Sequence, residues 1–96
     1  MNVTMTHNDS ELTVAIEGRL DTLTAPELEE QLEPELDEAE KLTFDMEGLE
    51  YISSAGLRVL LIMQKKCSGG VTLNGINELV REIVEQTGFV DILNIA

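Results

Sequence analysis

Residues Leu42-Thr43-Phe44-Asp45-Met46 form a nearly continuous apolar run between two segments of helical spacing. A strand with one face in water alternates apolar and polar residues, whereas a strand covered on both faces need not. The run, entered through Lys41, therefore predicts a central strand. A chain in which strands alternate with helices builds parallel neighbours joined by right-handed crossovers.

The flanking segments fit that frame. Val3, Met5 and His7 alternate with polar residues, as do Leu12, Val14 and Ile16 with Glu11, Thr13 and Ala15. Asn8-Asp9-Ser10 between them is a turn signal, so the pair reads as a hairpin that Gly18 ends. Arg19 to Thr24 reads as a loop. Thr24-Ala25-Pro26-Glu27 then opens a helix, with Thr24 as N-cap, Pro26 in the first turn and Glu27 at the reciprocal capping position. Ala25, Leu28, Leu32, Leu36 and Ala39 make one apolar face. Pro34 removes the bond to the Glu30 carbonyl, which predicts a kink or an end near Glu33.

Ala55 to Lys66 is a second helix, apolar on nearly every side and stopped by Gly69-Gly70. Val71 to Leu73 is a short strand. Asn77 caps a third helix carrying Leu79, Val80, Ile83 and Val84, which Gly88 ends. Phe89, Val90, Ile92, Leu93 and Ile95 read as a short helix docked over a sheet edge. The prediction is an α/β fold with a mixed, mostly parallel four-stranded sheet, an antiparallel N-terminal hairpin and helices packed on it.

Ninety-six residues suit one domain, residues 1–96. Nineteen acids against 6 bases leave a net charge of −13, which argues against nucleic acid and against an anionic membrane surface. The longest apolar run, Val59 to Met63, is far too short to span a bilayer. No basic stretch precedes an apolar one at the N-terminus, so no leader is expected. Cys67 is the only cysteine, which excludes an internal disulfide and fits a reducing, cytoplasmic compartment.

Catalytic patterns are missing. The one imidazole, His7, falls on the first strand. There is no Gly-x-Ser-x-Gly elbow, no phosphate loop, no dinucleotide fingerprint and no Cys/His cluster for zinc. The acids of the first helix read as a solvated face without the oxygen spacing of a calcium loop. No enzyme, metal or cofactor is expected.

Tyr51-Ile52-Ser53-Ser54-Ala55-Gly56-Leu57-Arg58 carries the most specific signal. It sets two hydroxyls at a helix N-terminus, where N–H groups lack intrahelical partners and the dipole favours negative charge. The plain reading is a serine N-cap; the sharper one is a phosphoserine site. The segment through Leu61 resembles the phosphorylation-site segment of STAS domains, found in bacterial anti-sigma factor antagonists and in sulfate transporters. The family pattern in the antagonists is Asp-Ser-Ser/Thr-Gly-Leu. Anchored on Gly56-Leu57, it puts Ser54 at the phosphorylated position, with Ser53 where the family most often has Asp. Gly18-Arg19-Leu20-Asp21-Thr22-Leu23-Thr24-Ala25 resembles the family's Gly-x-Leu-Asp-x-x-Asn-Ala segment, with Thr24 for Asn. Thr87 to Leu93 resembles the family's end.

The resemblance implies a STAS-like fold over the whole chain and a partner-switching cycle. The unphosphorylated domain would bind an anti-sigma factor that is also a serine kinase, releasing a sigma factor. Phosphorylation of Ser54 would end binding, and a PPM-type phosphatase would restore it. The implied docking residues are Asp21, Thr22, Ser53, Ser54, Gly56, Leu57 and Arg58. The alternative is a STAS domain of another signalling assembly, or a ligand sensor without phosphorylation. Gly56, in the first helical turn, costs roughly 0.5–1 kcal/mol relative to Ala. The glycine is read as allowing close approach of the kinase or of the neighbouring strand, so Gly56→Ala is expected to leave stability similar or better while weakening partner binding.

Overall fold

The computed structural model describes residues 1–96, apart from the side chain of Val90. Strand β1 (Asn2–Asn8) turns through Asp9-Ser10 into β2 (Glu11–Leu20), with Met5 opposite Val14 in antiparallel register. Asp9 takes the left-handed conformation at φ 56°, which its short polar side chain tolerates in a tight turn. Helix α1 (Ala25–Leu32) passes directly into a 3-10 turn over Glu33–Glu38. The change falls at Pro34, as the missing N–H requires. Ala25, Leu28, Leu32 and Ala39 are buried and Leu36 is half-buried.

Strand β3 (Lys41–Asp45) lies parallel between β2 and β5 (Val71–Asn74). Leu42, Thr43 and Phe44 are all buried, so both faces of this strand are covered. Helix α2 (Ser54–Lys66) and helix α3 (Glu78–Gln86) complete the crossovers. The Asn77 side chain caps α3 by accepting from Val80 N–H at 2.8 Å, and its amide donates to the Leu49 carbonyl at 2.9 Å.

The mixed, mostly parallel sheet expected from the sequence is present, with six strands where the pattern predicted four. One addition is β4 (Leu49–Ile52), which pairs in parallel with the far end of β2. Gly18 does not end β2. At φ 99° it marks a register shift beyond which Arg19 and Leu20 pair with Tyr51 and Ile52. Its N–H donates to the Gly48 carbonyl at 2.9 Å. β3 and β4 thus follow one another along the same edge of the longer β2, interrupted at Met46-Glu47-Gly48. The other addition is in the tail. A 3-10 turn over Phe89–Asp91 leads into β6 (Asn94–Ile95), which extends the sheet beside β5. The expected docked helix is therefore one short turn followed by a strand. Both added strands are too short for alternation to reveal them, and their partners are remote in sequence.

Candidate functional site

The paired ends of β2 and β4 set the start of α2. Leu20 lies opposite Ile52, and Ser53 N–H donates to the Leu20 carbonyl at 2.9 Å. Ser53 is extended, at φ −98° and ψ 174°, and its Oγ accepts from Gly56 N–H at 3.3 Å. It is therefore the N-cap, half-buried and occupied with the helix. Ser54, the first helical residue, is exposed. The two hydroxyls of the segment thus have different surroundings.

Gly56 and Leu57 are buried. A β-carbon on Gly56 would meet the Leu20 carbonyl oxygen at 2.9 Å, Leu20 Cγ at 2.8 Å and Ile52 Cγ1 at 2.9 Å. The glycine lets α2 approach β2, the neighbouring-strand approach the sequence suggested, and these contacts argue against the expectation that Ala would leave stability similar or better. Helix propensity alone favours Ala, but the contact is tertiary. Leu57 is 1% exposed and belongs to the core. Neither residue offers surface, so each can affect docking only through what it holds in place.

The loop before α1 is organised by Asp21. Its Oδ1 accepts from Leu23 N–H at 3.0 Å and Thr24 N–H at 3.2 Å, while its carbonyl accepts from Ala25 N–H at 2.8 Å. The expected capping box does not form, because Thr24 is already helical at φ −92° and ψ −23° and makes no side-chain cap bond. Its hydroxyl faces back, accepting from Asp21 N–H and donating to the Arg19 carbonyl, both at 2.8 Å. The Thr24 backbone N–H, helped by Leu23 N–H, the Thr24 hydroxyl and Arg19, holds the Asp21 carboxyl below its ordinary value against partial desolvation. Arg19 stacks over the Tyr51 ring at 4.5 Å and reaches Asp21 Oδ2 at 3.7 Å. Loop and β4 are thereby joined.

Between α1 and α2 lies an open groove of about 720 Å³. Ala25, Pro26 and Glu29 form one wall, and Ser54, Ala55, Arg58, Val59 and Ile62 form the other. Thr22 lines it too, so the two segments that carry the resemblance meet here. Thr22, Ser54 and Arg58 are exposed, and Asp21 is partly so. At the far end of α2, Lys66 pairs with Glu33 of the 3-10 turn. The apolar residues of α2 serve the core, through Leu57, Val59, Leu60 and Met63, and this groove, through Ala55, Val59 and Ile62.

Sequence reasoning missed several contributors. Leu23 is 84% exposed beside Asp21, the most exposed large apolar side chain among the described residues. Its place in a polar loop was a readable signal. Glu29 and Pro26 were read only as parts of α1, and the stack of Arg19 on Tyr51 needs the pairing of β2 with β4.

The α/β domain thus sets an exposed serine and an arginine on one helix beside a half-apolar groove. The STAS domain family model matches residues 2–96, and the chain belongs to that family. BtrV of Bordetella bronchiseptica, provisionally named an anti-sigma factor antagonist, is 35% identical over 100 residues, spanning 100% of this chain and 86% of that one. The anti-sigma-B factor antagonist of Bacillus subtilis is 30% identical over 99 residues, spanning 100% and 91%. In structure, unphosphorylated SpoIIAA superposes with a TM-score of 0.85 at 14% identity, over 99% of this chain and 88% of that one. Phosphorylated SpoIIAA, a Bacillus cell fate determinant, gives a TM-score of 0.76 at 13% identity, over 99% and 91%.

Proposed function

We propose that residues 1–96 form a cytoplasmic anti-sigma factor antagonist, a binding protein and not an enzyme, regulated by phosphorylation of Ser54. The observation that carries this reading is the contrast between the two serines. Ser53 spends its Oγ on capping α2, whereas Ser54 is exposed on the groove that also takes in Thr22 and Arg58. A kinase needs an accessible hydroxyl, and Ser54 presents one without undoing the cap. The names of the 35% and 30% identical relatives support the antagonist role. The solution of SpoIIAA in both unphosphorylated and phosphorylated forms supports the switch.

In this reading the unphosphorylated domain captures an anti-sigma factor that is also a serine kinase, and a PPM-type phosphatase reverses the modification. A phosphoserine adds roughly −1.5 to −2 charges at neutral pH. At a helix N-terminus that charge suits the dipole, so the fold persists while the docking surface changes. The test is incubation with the kinase partner and ATP, followed by mapping of the modified peptide by mass spectrometry. Modification at Ser54 is expected; modification at Ser53 alone would refute the assignment. A groove of about 720 Å³ also falls within the range of small-molecule sites. A ligand sensor without phosphorylation is thus the second reading, and no modification by any partner kinase would favour it.

A further inference from the structure

We propose that Arg58 is a built-in phosphate clamp: once Ser54 carries phosphate, the Arg58 guanidinium folds back onto it, and the groove loses its free cation as it gains a dianion. The inference rests on the reading of Ser54 as the acceptor and deepens it, because it says where the new charge goes.

Ser54 and Arg58 lie four residues apart on α2, and both are exposed on the same groove. Residues at that spacing are neighbours on a helix surface. Helical side chains also lean toward the N-terminus, so the arginine stem runs back over the turn that begins at Ser54. A planar guanidinium fork matches two phosphate oxygens, which a lysine ammonium cannot do.

Arg58 is also uncommitted. The ion pairs among the described residues engage His7, Arg19, Lys41 and Lys66, and no carboxylate lies within 4.0 Å of Arg58. The first turn of α2 carries no acid. Ser53 is neutral, so no charge on the helix itself competes for Arg58 beside the phosphate. Glu29, on the α1 wall, is the one carboxylate lining the groove, and it would repel a phosphate. Asp21 already accepts from Leu23 and Thr24 and faces Arg19. Arg19 is held over Tyr51 at 4.5 Å and does not line the groove.

The groove lining balances one acid, Glu29, against one base, Arg58, in a chain of net charge −13. It is thus a neutral, half-apolar patch on an acidic molecule. A clamped phosphate removes the base from the partner's reach and leaves Glu29 and the phosphate dominant. Regulation then acts by withdrawing a cation as well as by adding anions.

The experiment installs phosphoserine at position 54 of the full chain by genetic encoding, so no kinase is needed. Urea unfolding is measured with Ser54 or phosphoserine, each combined with Arg58, Arg58→Gln or Arg58→Lys. The expected result is a favourable coupling between phosphate and Arg58 of roughly fivefold or more in the unfolding constant. It should vanish with Gln and return in part with Lys. The Arg58 Nε–H signal in NMR spectra should move and exchange more slowly on phosphorylation. The clamp is overturned if the phosphate and Arg58 effects multiply independently within roughly twofold and that signal does not move. Because the phosphate is installed directly, failure of a kinase to modify Ser54 would strike the proposed function and leave this measurement standing.

Discussion

Gly56 packs against the end of β2 so closely that a β-carbon on it would stand 2.9 Å from the Leu20 carbonyl oxygen. That carbonyl is already the acceptor for Ser53 N–H. A single backbone group thus fixes both the cap of α2 and the approach of its first turn. Leu20 and Ile52, the side chains on either side, are fully buried and cannot swing away.

Gly56→Ala should therefore destabilise the domain, by about 1–3 kcal/mol for overpacking, despite the better helix propensity of Ala. The check is the urea midpoint with unchanged slope. A variant as stable as the parent would mean that α2 can slide off β2 without loss.

Ser53→Ala and Ser54→Ala should separate the two serines. Loss of the Ser53 cap should cost about 0.5–2 kcal/mol and leave Ser54 open to phosphorylation. Ser54→Ala should change stability little and abolish phosphorylation. Chemical denaturation and phosphopeptide mapping on the same two proteins decide the matter.

Ser54→Asp should fold with an unchanged circular dichroism spectrum and bind the anti-sigma partner at least about tenfold more weakly, or about 1.4 kcal/mol. Loss of helix signal or of melting cooperativity would make the switch conformational. Binding equal to the parent would place the interface elsewhere.

Leu23→Ser should leave the melting temperature near that of the parent, since the side chain is 84% exposed, and should weaken partner binding. Isothermal calorimetry with the anti-sigma partner is the measurement. Undiminished affinity would remove the loop apex from the docking surface.

The Asp21 loop should respond to acid. Its carboxyl has a folded-state value below the ordinary 3.8 because the Thr24 and Leu23 N–H groups, the Thr24 hydroxyl and Arg19 favour the anion. The stabilisation is therefore full above the ordinary value and is lost as pH falls through the lowered one. Asp21→Asn keeps an acceptor for the loop but does not titrate. Relative to Asp21→Asn, the parent should lose stability more steeply below about pH 4. Parallel acid limbs in thermal melts would show that the carboxylate adds nothing beyond its hydrogen bonds.

The sequence by itself determined much of what depends on neighbours along the chain, though not the capping box at Thr24 or the end of β2 at Gly18. Alternation in β1 and β2, the covered strand at Leu42 to Met46, the break at Pro34 and the Asn77 cap are local, and each was legible. So was a serine N-cap at the start of α2, which Ser53 supplies. Tertiary structure decided what depends on remote backbone. Leu49 to Ile52 became a strand because the far end of β2, beyond the shift at Gly18, had free hydrogen-bonding groups. Asn94-Ile95 became one because the outer edge of β5 was open. The same pairing brought Tyr51 under Arg19, pressed Gly56 against Leu20 and buried Leu57. A helix pattern records which residues share a face; only the packed sheet decides whether that face meets a backbone carbonyl, a core or open water.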